Sequence, residues 1–272
     1  MEPVSALVLD RVRFGYGTAL VLDALSLRVA GGEGVALLGA NGAGKTTLTR
    51  LAMALLHPAS GAVTTAGRPT AGRRPEDLAD VAGYLFQHPE SQLFARTVRA
   101  EIAFGPEQQG WPPAELNRAV DGVLAELGLE PLADRHPYDL PGPVRRLVAL
   151  GAALVGAPRL LILDEPTAGL DRAGRERVAG VLLARRAEGA AVLAVTHDLG
   201  FAAAVLDRGV VLAGRRVAQD LPLLELLGKH PDFPAPPLLE LARRIGLPRV
   251  RPSVPILAPL LTSPPQNRTL VG

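Results

Sequence analysis

Residues 39–46 read Gly-Ala-Asn-Gly-Ala-Gly-Lys-Thr, the pattern G-x-x-x-x-G-K-[ST]. No other stretch of the 272-residue chain restricts the fold so tightly. Gly39, Gly42 and Gly44 let the backbone curl until successive N–H groups face inward at phosphate oxygens, with Ala40, Asn41 and Ala43 supplying further amides. Residues 35–38, just before the loop, are apolar and strand-like, and residues 45–56, just after it, carry a helical period. A strand that ends at Gly39 and a helix that starts at Lys45 aim the helix's positive end at the same phosphate. Lys45 then offers a mobile cation to the terminal phosphates and Thr46 a hydroxyl to a divalent metal, with Thr47 beside them at the helix start. The 29 basic residues include only two lysines, Lys45 and Lys229, so one of the two stands where the loop requires it.

The rest of the chain predicts the scaffold that such a loop needs. Residues 4–30 alternate apolar and polar side chains, with breaks at Gly15 and Gly17, as antiparallel strands do. Residues 57–83, rich in Gly, Pro and Arg, read as turns and short strands. Helical periods over 112–129, 144–155 and 172–187 interleave with short wholly apolar runs at 160–163 and 191–195. Runs of that kind between helices are strands of a mainly parallel sheet covered on both faces. Beyond Asp220 the pattern changes to short helices at 221–227 and 238–245, separated by the proline-rich 231–237. Residues 252–272, again proline-rich, are expected to be poorly ordered.

Bulk properties exclude several classes. A formal net charge of +2 gives nucleic-acid binding no support. The absence of cysteine excludes disulfides and thiolate metal sites. Glu2 and Asp10 spoil a signal-peptide reading. The richest apolar stretch, 147–163, is cut by Gly151, Gly156, Pro158 and Arg159, so work at a membrane requires a membrane partner.

Two further segments carry chemistry. The run Leu-Leu-Ile-Leu-Asp-Glu at 160–165 is an apolar strand ending in two acids, which places them at the carboxyl edge of the sheet. Asp164 there holds the metal through water, and Glu165 orients and polarises an attacking water. Residues 195–198, Val-Thr-His-Asp, end the next strand in the same way and bring His197 to that edge. His57, His88, His136 and His230 adjoin prolines or turns and are assigned no chemistry. No N-K-x-D motif follows the loop, which excludes a GTPase.

From about residue 7 to 220 these features resemble the ABC ATPase family. Gln87 in FQHPESQ resembles its Q-loop, Ala168-Gly169-Leu170-Asp171 its D-loop and His197 its switch histidine, and Tyr16 lies where the family stacks an aromatic on adenine. The resemblance implies ATP as nucleotide and Mg2+ held by Thr46, Gln87 and Asp164. It implies Lys45, Gln87, Glu165 and His197 as the catalytic set. The implied fold is α/β: a P-loop NTPase (RecA-like) core with an antiparallel β subdomain and an inserted helical subdomain (about 88–157) in an ATPase domain over 1–220, then a helical extension (221–251) and the tail. Two such domains pair head to tail, each ATP lying between one phosphate loop and the partner's signature loop. More narrowly, FQHPESQLFARTVRAEIAFGP and PPLLELARRIGLP resemble the ATPases of energy-coupling-factor (ECF) and cobalt/nickel importers. That implies a transmembrane T component, a small substrate-capture protein, a vitamin or Co2+/Ni2+ as cargo, and a place on the cytoplasmic face of the membrane.

One departure stands out. Where the family's signature loop reads LSGGQ, this chain has Leu140-Pro141-Gly142-Pro143-Val144. Pro141 lacks the hydroxyl expected at the γ-phosphate, Pro143 lacks an N–H, and Val144 cannot hydrogen-bond through its side chain. Proline is tolerated in a first helical turn, so the helix survives while anion recognition is lost. The expectation is a heterodimer with one competent and one degenerate site. A regulatory ATP-binding subunit with little turnover, or a non-transport ABC protein, are the alternatives.

Overall fold

The computed structural model describes residues 5–237, 239 and 240. Strands β1 (Ser5–Tyr16) and β2 (Ala19–Ala30) form a hairpin, and β1 also pairs with β4 (Ser60–Thr65), which carries the short β5 (Arg68–Pro69). This antiparallel sheet has the order β2-β1-β4-β5. The second sheet has the order β10-β9-β3-β8-β7-β6, built from β3 (Gly34–Leu38), β6 (Ala82–Leu85), β7 (Leu160–Asp164), β8 (Ala191–Val195), β9 (Arg208–Ala213) and β10 (Arg216–Pro222). Its neighbours are parallel except for the edge pair of β9 and β10.

The wholly apolar runs exist because both faces of this sheet are covered. Side chains alternate across a strand, so consecutive residues enter different cores. Val35, Leu37, Leu160, Ile162 and Leu193 share one core with Leu48 and Leu51 of α1 (Lys45–Ala52) and with Leu7, Leu9 and Leu27 of the antiparallel sheet. Ala36, Leu38, Leu161, Leu163 and Val192 face the opposite core. There they meet α2 (Val98–Gln108), α3 (Pro113–Leu127), α4 (Gly142–Leu154), α5 (Arg172–Ala187) and α6 (Leu199–Val205). Burying a side chain of this size contributes about 1.5–3 kcal/mol, so the sheet is held from both sides. Helices α2–α4 lie between β6 and β7 in the chain, and a side chain at Gly151 of α4 would meet Ile102 of α2 at 3.0 Å and Val123 of α3 at 3.1 Å.

Register then fixes the site. Leu37 pairs with Val195, and Asp164 also pairs with Val195. The three strands therefore end level, and the residues after them emerge along one edge.

Two expectations about elements are corrected, and one helix was not anticipated. Helix α1 ends at Ala52 and not near Leu56: Ala54 takes a positive φ of 54°, and the amides of Leu55 and Leu56 turn back onto the Arg50 carbonyl at 2.9 and 3.3 Å. Leu221 and Pro222, expected to open a helix, extend β10 by pairing with Gly209 and Arg208, and the helix that follows, α7 (Leu223–Leu226), is one turn long. Helix α2 has no visible sequence period because Gly105 and Pro106 lie inside it; its start is fixed by Thr97, whose hydroxyl accepts from the Ala100 amide at 3.1 Å. The helix expected at 238–245 and the proline-rich end fall largely or wholly outside the described residues.

Candidate functional site

Between β3 and α1 the chain makes the expected loop. Gly39, Gly42 and Gly44 all hold positive φ (137°, 80° and 100°). At Gly39 a side chain would also reach within 2.5 Å of the Leu212 carbonyl, so close backbone contact as well as conformation demands glycine. The Ala43 amide donates to the Ala40 carbonyl at 3.1 Å and closes the turn.

Asn41, Gly42, Gly44, Lys45, Thr46, Thr47, Tyr16, Gln87, Asp164, Glu165 and His197 line one cleft of about 490 Å³. Residues 87 and 165 are far apart in sequence, and the pairing of Leu85 in β6 with Leu163 in β7 brings them together. Gly39, Ala40 and Ala43 form the back of the loop and line a neighbouring cleft with residues 211–215. The Lys45 ammonium donates to the Gly39 and Ala40 carbonyls at 2.6 and 3.0 Å. Two of its three donors thus brace the loop, while the charge stays at the phosphate position. Burial lowers the Lys45 pKa, and the carboxylates of Asp164 and Glu165 oppose that shift. Tyr16 is half exposed and is held edge-on by Phe14, ring centroids 5.0 Å apart.

The carboxylates occupy different environments. Asp164 is 3% exposed. Burial raises its pKa above the ordinary carboxylate range and the Glu165 charge raises it further, against Lys45, Arg146 and Arg50. Glu165 closes the strand at φ 53°, a left-handed conformation that disfavours any residue with a side chain. Its amide donates to the Val195 carbonyl at 2.8 Å. Its carboxylate accepts from the His197 amide at 3.1 and 3.3 Å and from the Thr196 hydroxyl at 3.4 Å. The His197 ring is largely exposed, its Nε2 3.6 Å from Glu165 Oε1. Asp198 caps α6 by accepting from the Phe201 amide at 2.9 Å and so fixes the turn carrying His197.

Thr46, Asp164 and Gln87 offer a hydroxyl, a carboxylate and an amide oxygen, hard donors of the type Mg2+ takes. The described residues contain no cluster of three or more His, Cys, Asp or Glu that could hold a metal. Mg2+ does not need one, since phosphate oxygens and water complete its shell.

The ABC transporter family model matches residues 22–168. The chain is 39% identical over 233 residues to the nickel import ATP-binding protein NikO of Rhodobacter capsulatus, covering 82% of this chain and 92% of that one. The chain belongs to the ABC transporter ATP-binding family. It is also 40% identical over 201 residues to the cobalt import ATP-binding protein CbiO of Syntrophus aciditrophicus, covering 74% and 71% of the two chains. The structure matches cbiO1 from Clostridium perfringens, part of the ABC transporter complex cbiONQ, with a TM-score of 0.75 at 28% identity, covering 94% and 98% of the chains. As an ABC ATPase the chain hydrolyses ATP.

The signature segment begins α4 despite its prolines. Pro141 is the N-cap, Gly142 the first helical residue and Pro143 the second. Neither proline has an N–H, and no side chain caps this helix start. Sequence reasoning missed Arg146, one turn further on. Its guanidinium donates to the Glu165 carbonyl at 2.9 Å and to the Gln87 carbonyl at 3.3 Å. It also missed Thr196 and Asp198 as supports of Glu165 and His197; their place in the strand-end run with His197 was the available signal.

The raised pKa of Asp164 predicts a stability effect. The folded protein disfavours its charged form, so ionisation costs stability; that cost is full above the raised folded value, shrinks as pH falls below it and is gone below the ordinary carboxylate range. Asp164→Asn is therefore expected to melt higher than the wild type at pH 7 without nucleotide, the gap closing in acid. Thermal melts across pH read this directly; a lower melting temperature at pH 7 contradicts it. The same variant is expected to lose Mg2+-dependent turnover.

Proposed function

We propose that this chain is the ATP-hydrolysing subunit of a cobalt- or nickel-type importer of ECF organisation. It works on the cytoplasmic face of the membrane through a transmembrane T component, with a substrate-capture protein. The ATPase domain is assigned to residues 1–220, followed by an extension over 221–251. One observation carries the hydrolytic reading: Lys45, Gln87, Asp164, Glu165 and His197 surround a single cleft with Tyr16 at its mouth. Tyr16 stacks on adenine, the loop amides and Lys45 hold the phosphates, and Thr46, Asp164 and Gln87 hold Mg2+. Bound there, the ion neutralises charge on the phosphate oxygens. Glu165 orients and polarises water at the γ-phosphate, and His197 contacts that phosphate.

The names of the relatives support the metal cargo. No helix among the described residues is long and apolar enough to cross a membrane. An exposed aromatic pair, Phe94 and Phe104 with centroids 4.6 Å apart, lies just past the Q-loop and suits contact with a membrane partner.

The signature supports an unequal pair. This chain offers a complete phosphate-binding and water-activating half-site, but it presents its neighbour with two residues that lack N–H donors. The competent site then joins this chain's cleft to an intact signature from a different ABC ATPase. The test is turnover of the purified chain alone and with its paired ATPase. Hydrolysis is expected to be weak alone and brisk in the pair; brisk, cooperative hydrolysis by this chain alone overturns the pairing.

A further inference from the structure

Arg146 joins three parts of the site that the sequence keeps apart. It stands in α4, the helix that opens with the altered signature, two residues past Val144. One donor of its guanidinium holds the carbonyl of Glu165 and another the carbonyl of Gln87. Both acceptors belong to residues that line the nucleotide cleft.

The geometry gives this contact more weight than an ordinary loop tie. At φ 53° Glu165 lies in a sparsely populated backbone region, which persists only where the surroundings over-determine it. Its amide is held by Val195 on the sheet side, and its carbonyl by Arg146 and by the Ala168 amide at 3.2 Å. The orientation of those two peptide groups sets where the carboxylate points. A guanidinium is a rigid planar fork, so two carbonyls bound to it are held at a fixed separation.

The helix start is braced from the other side. The neighbouring Arg145 lies over the Tyr138 ring, 5.8 Å from its centroid, and the Tyr138 hydroxyl donates to the Leu93 carbonyl at 3.1 Å. Two adjacent arginines thus tie α4 to the Q-loop segment on one side and to the catalytic strand end on the other.

We propose that Arg146 is a positioning residue for ATP hydrolysis, fixing the Glu165 and Gln87 backbones relative to each other so that the base and the metal-binding Q-loop amide stay in register at the nucleotide. The helix therefore keeps a role within its own chain although its first turn has lost donors for the partner's nucleotide. This rests on the role of Glu165 proposed above.

The test uses the full complex with its paired ATPase and the variants Arg146→Met and Arg146→Lys, with Arg146→Ala as the background for chemical rescue. A lost hydrogen bond from a charged donor predicts a kcat about tenfold lower in Arg146→Met, with KM for ATP changed less than about twofold. Arg146→Lys keeps the charge but not the fork and is expected to recover only part of the loss. Free guanidinium added to Arg146→Ala is expected to restore turnover. Without nucleotide, amide exchange at Glu165 and Ala168 in Arg146→Met is expected to rise about tenfold. Unchanged kcat in both variants, a rise in KM that accounts for the whole loss, or unchanged exchange at those amides overturns the proposal. A wild-type complex without turnover would count against the functional reading, and the exchange measurement would still decide Arg146.

Discussion

Replacing Glu165 by Gln is expected to cut ATP turnover by roughly a hundredfold to ten-thousandfold, the range for losing a positioned general base, while leaving ATP binding intact. Gln is nearly isosteric and is no more strained than Glu at φ 53°. Its amide oxygen can still accept from the His197 amide, which bonds both carboxylate oxygens in the native chain. The neighbouring acid gains from the change: the Glu165 charge helps to raise the Asp164 pKa, so removing it makes Asp164 easier to ionise. Metal and nucleotide affinity should therefore hold or improve while the chemical step fails, and ATP should accumulate on the complex. Single-turnover hydrolysis with ATP retention on gel filtration reads both halves. A variant that turns over within about tenfold of the wild type places the base elsewhere.

Rebuilding the signature loop is expected to act in the opposite direction. The triple change Pro141→Ser, Pro143→Gly and Val144→Gln returns a hydroxyl, backbone N–H groups and a side-chain amide to the start of α4. The helix is already in place, beginning at Gly142, so the change restores donors without having to build the scaffold. One preorganised donor to transition-state charge is worth about 3 kcal/mol, or about a hundredfold in rate. Hydrolysis at the degenerate site should rise by about that factor. The competent site, which takes its signature from the other subunit, should be unaffected. Site-resolved turnover separates the two: disabling Glu165 leaves only the degenerate site active, and disabling the partner's own base leaves only the competent one. No gain at the degenerate site would mean that this loop does not limit it.

Much of the scaffold was legible before any coordinates. Segments 172–187 and 191–195 form a helix and a strand over those same residues. Their signals are local, a helical period in one and an uninterrupted apolar run in the other. Helix α2 escaped notice because Gly105 and Pro106 mask its period, and burial against α3 and α4 stabilises it where propensity does not. The strand at 216–222 was misread at Leu221 for a related reason: an edge strand takes its identity from the partner strand it pairs with, and that pairing is not local.

The sequence by itself determined the phosphate loop, the acid pair at a strand end, the histidine at the next strand end and the altered signature. Each is a short run whose spacing carries its own geometry. Only the tertiary structure decided how these runs meet. The level ends of β3, β7 and β8 put Lys45, Asp164 and His197 on one edge. The left-handed turn at Glu165, held by Val195 on one side and Arg146 on the other, and the reach of Arg146 to Gln87 exist only in the folded chain. A hydrogen bond between residues 146 and 87 depends on how the intervening helices stack, and no local period encodes that.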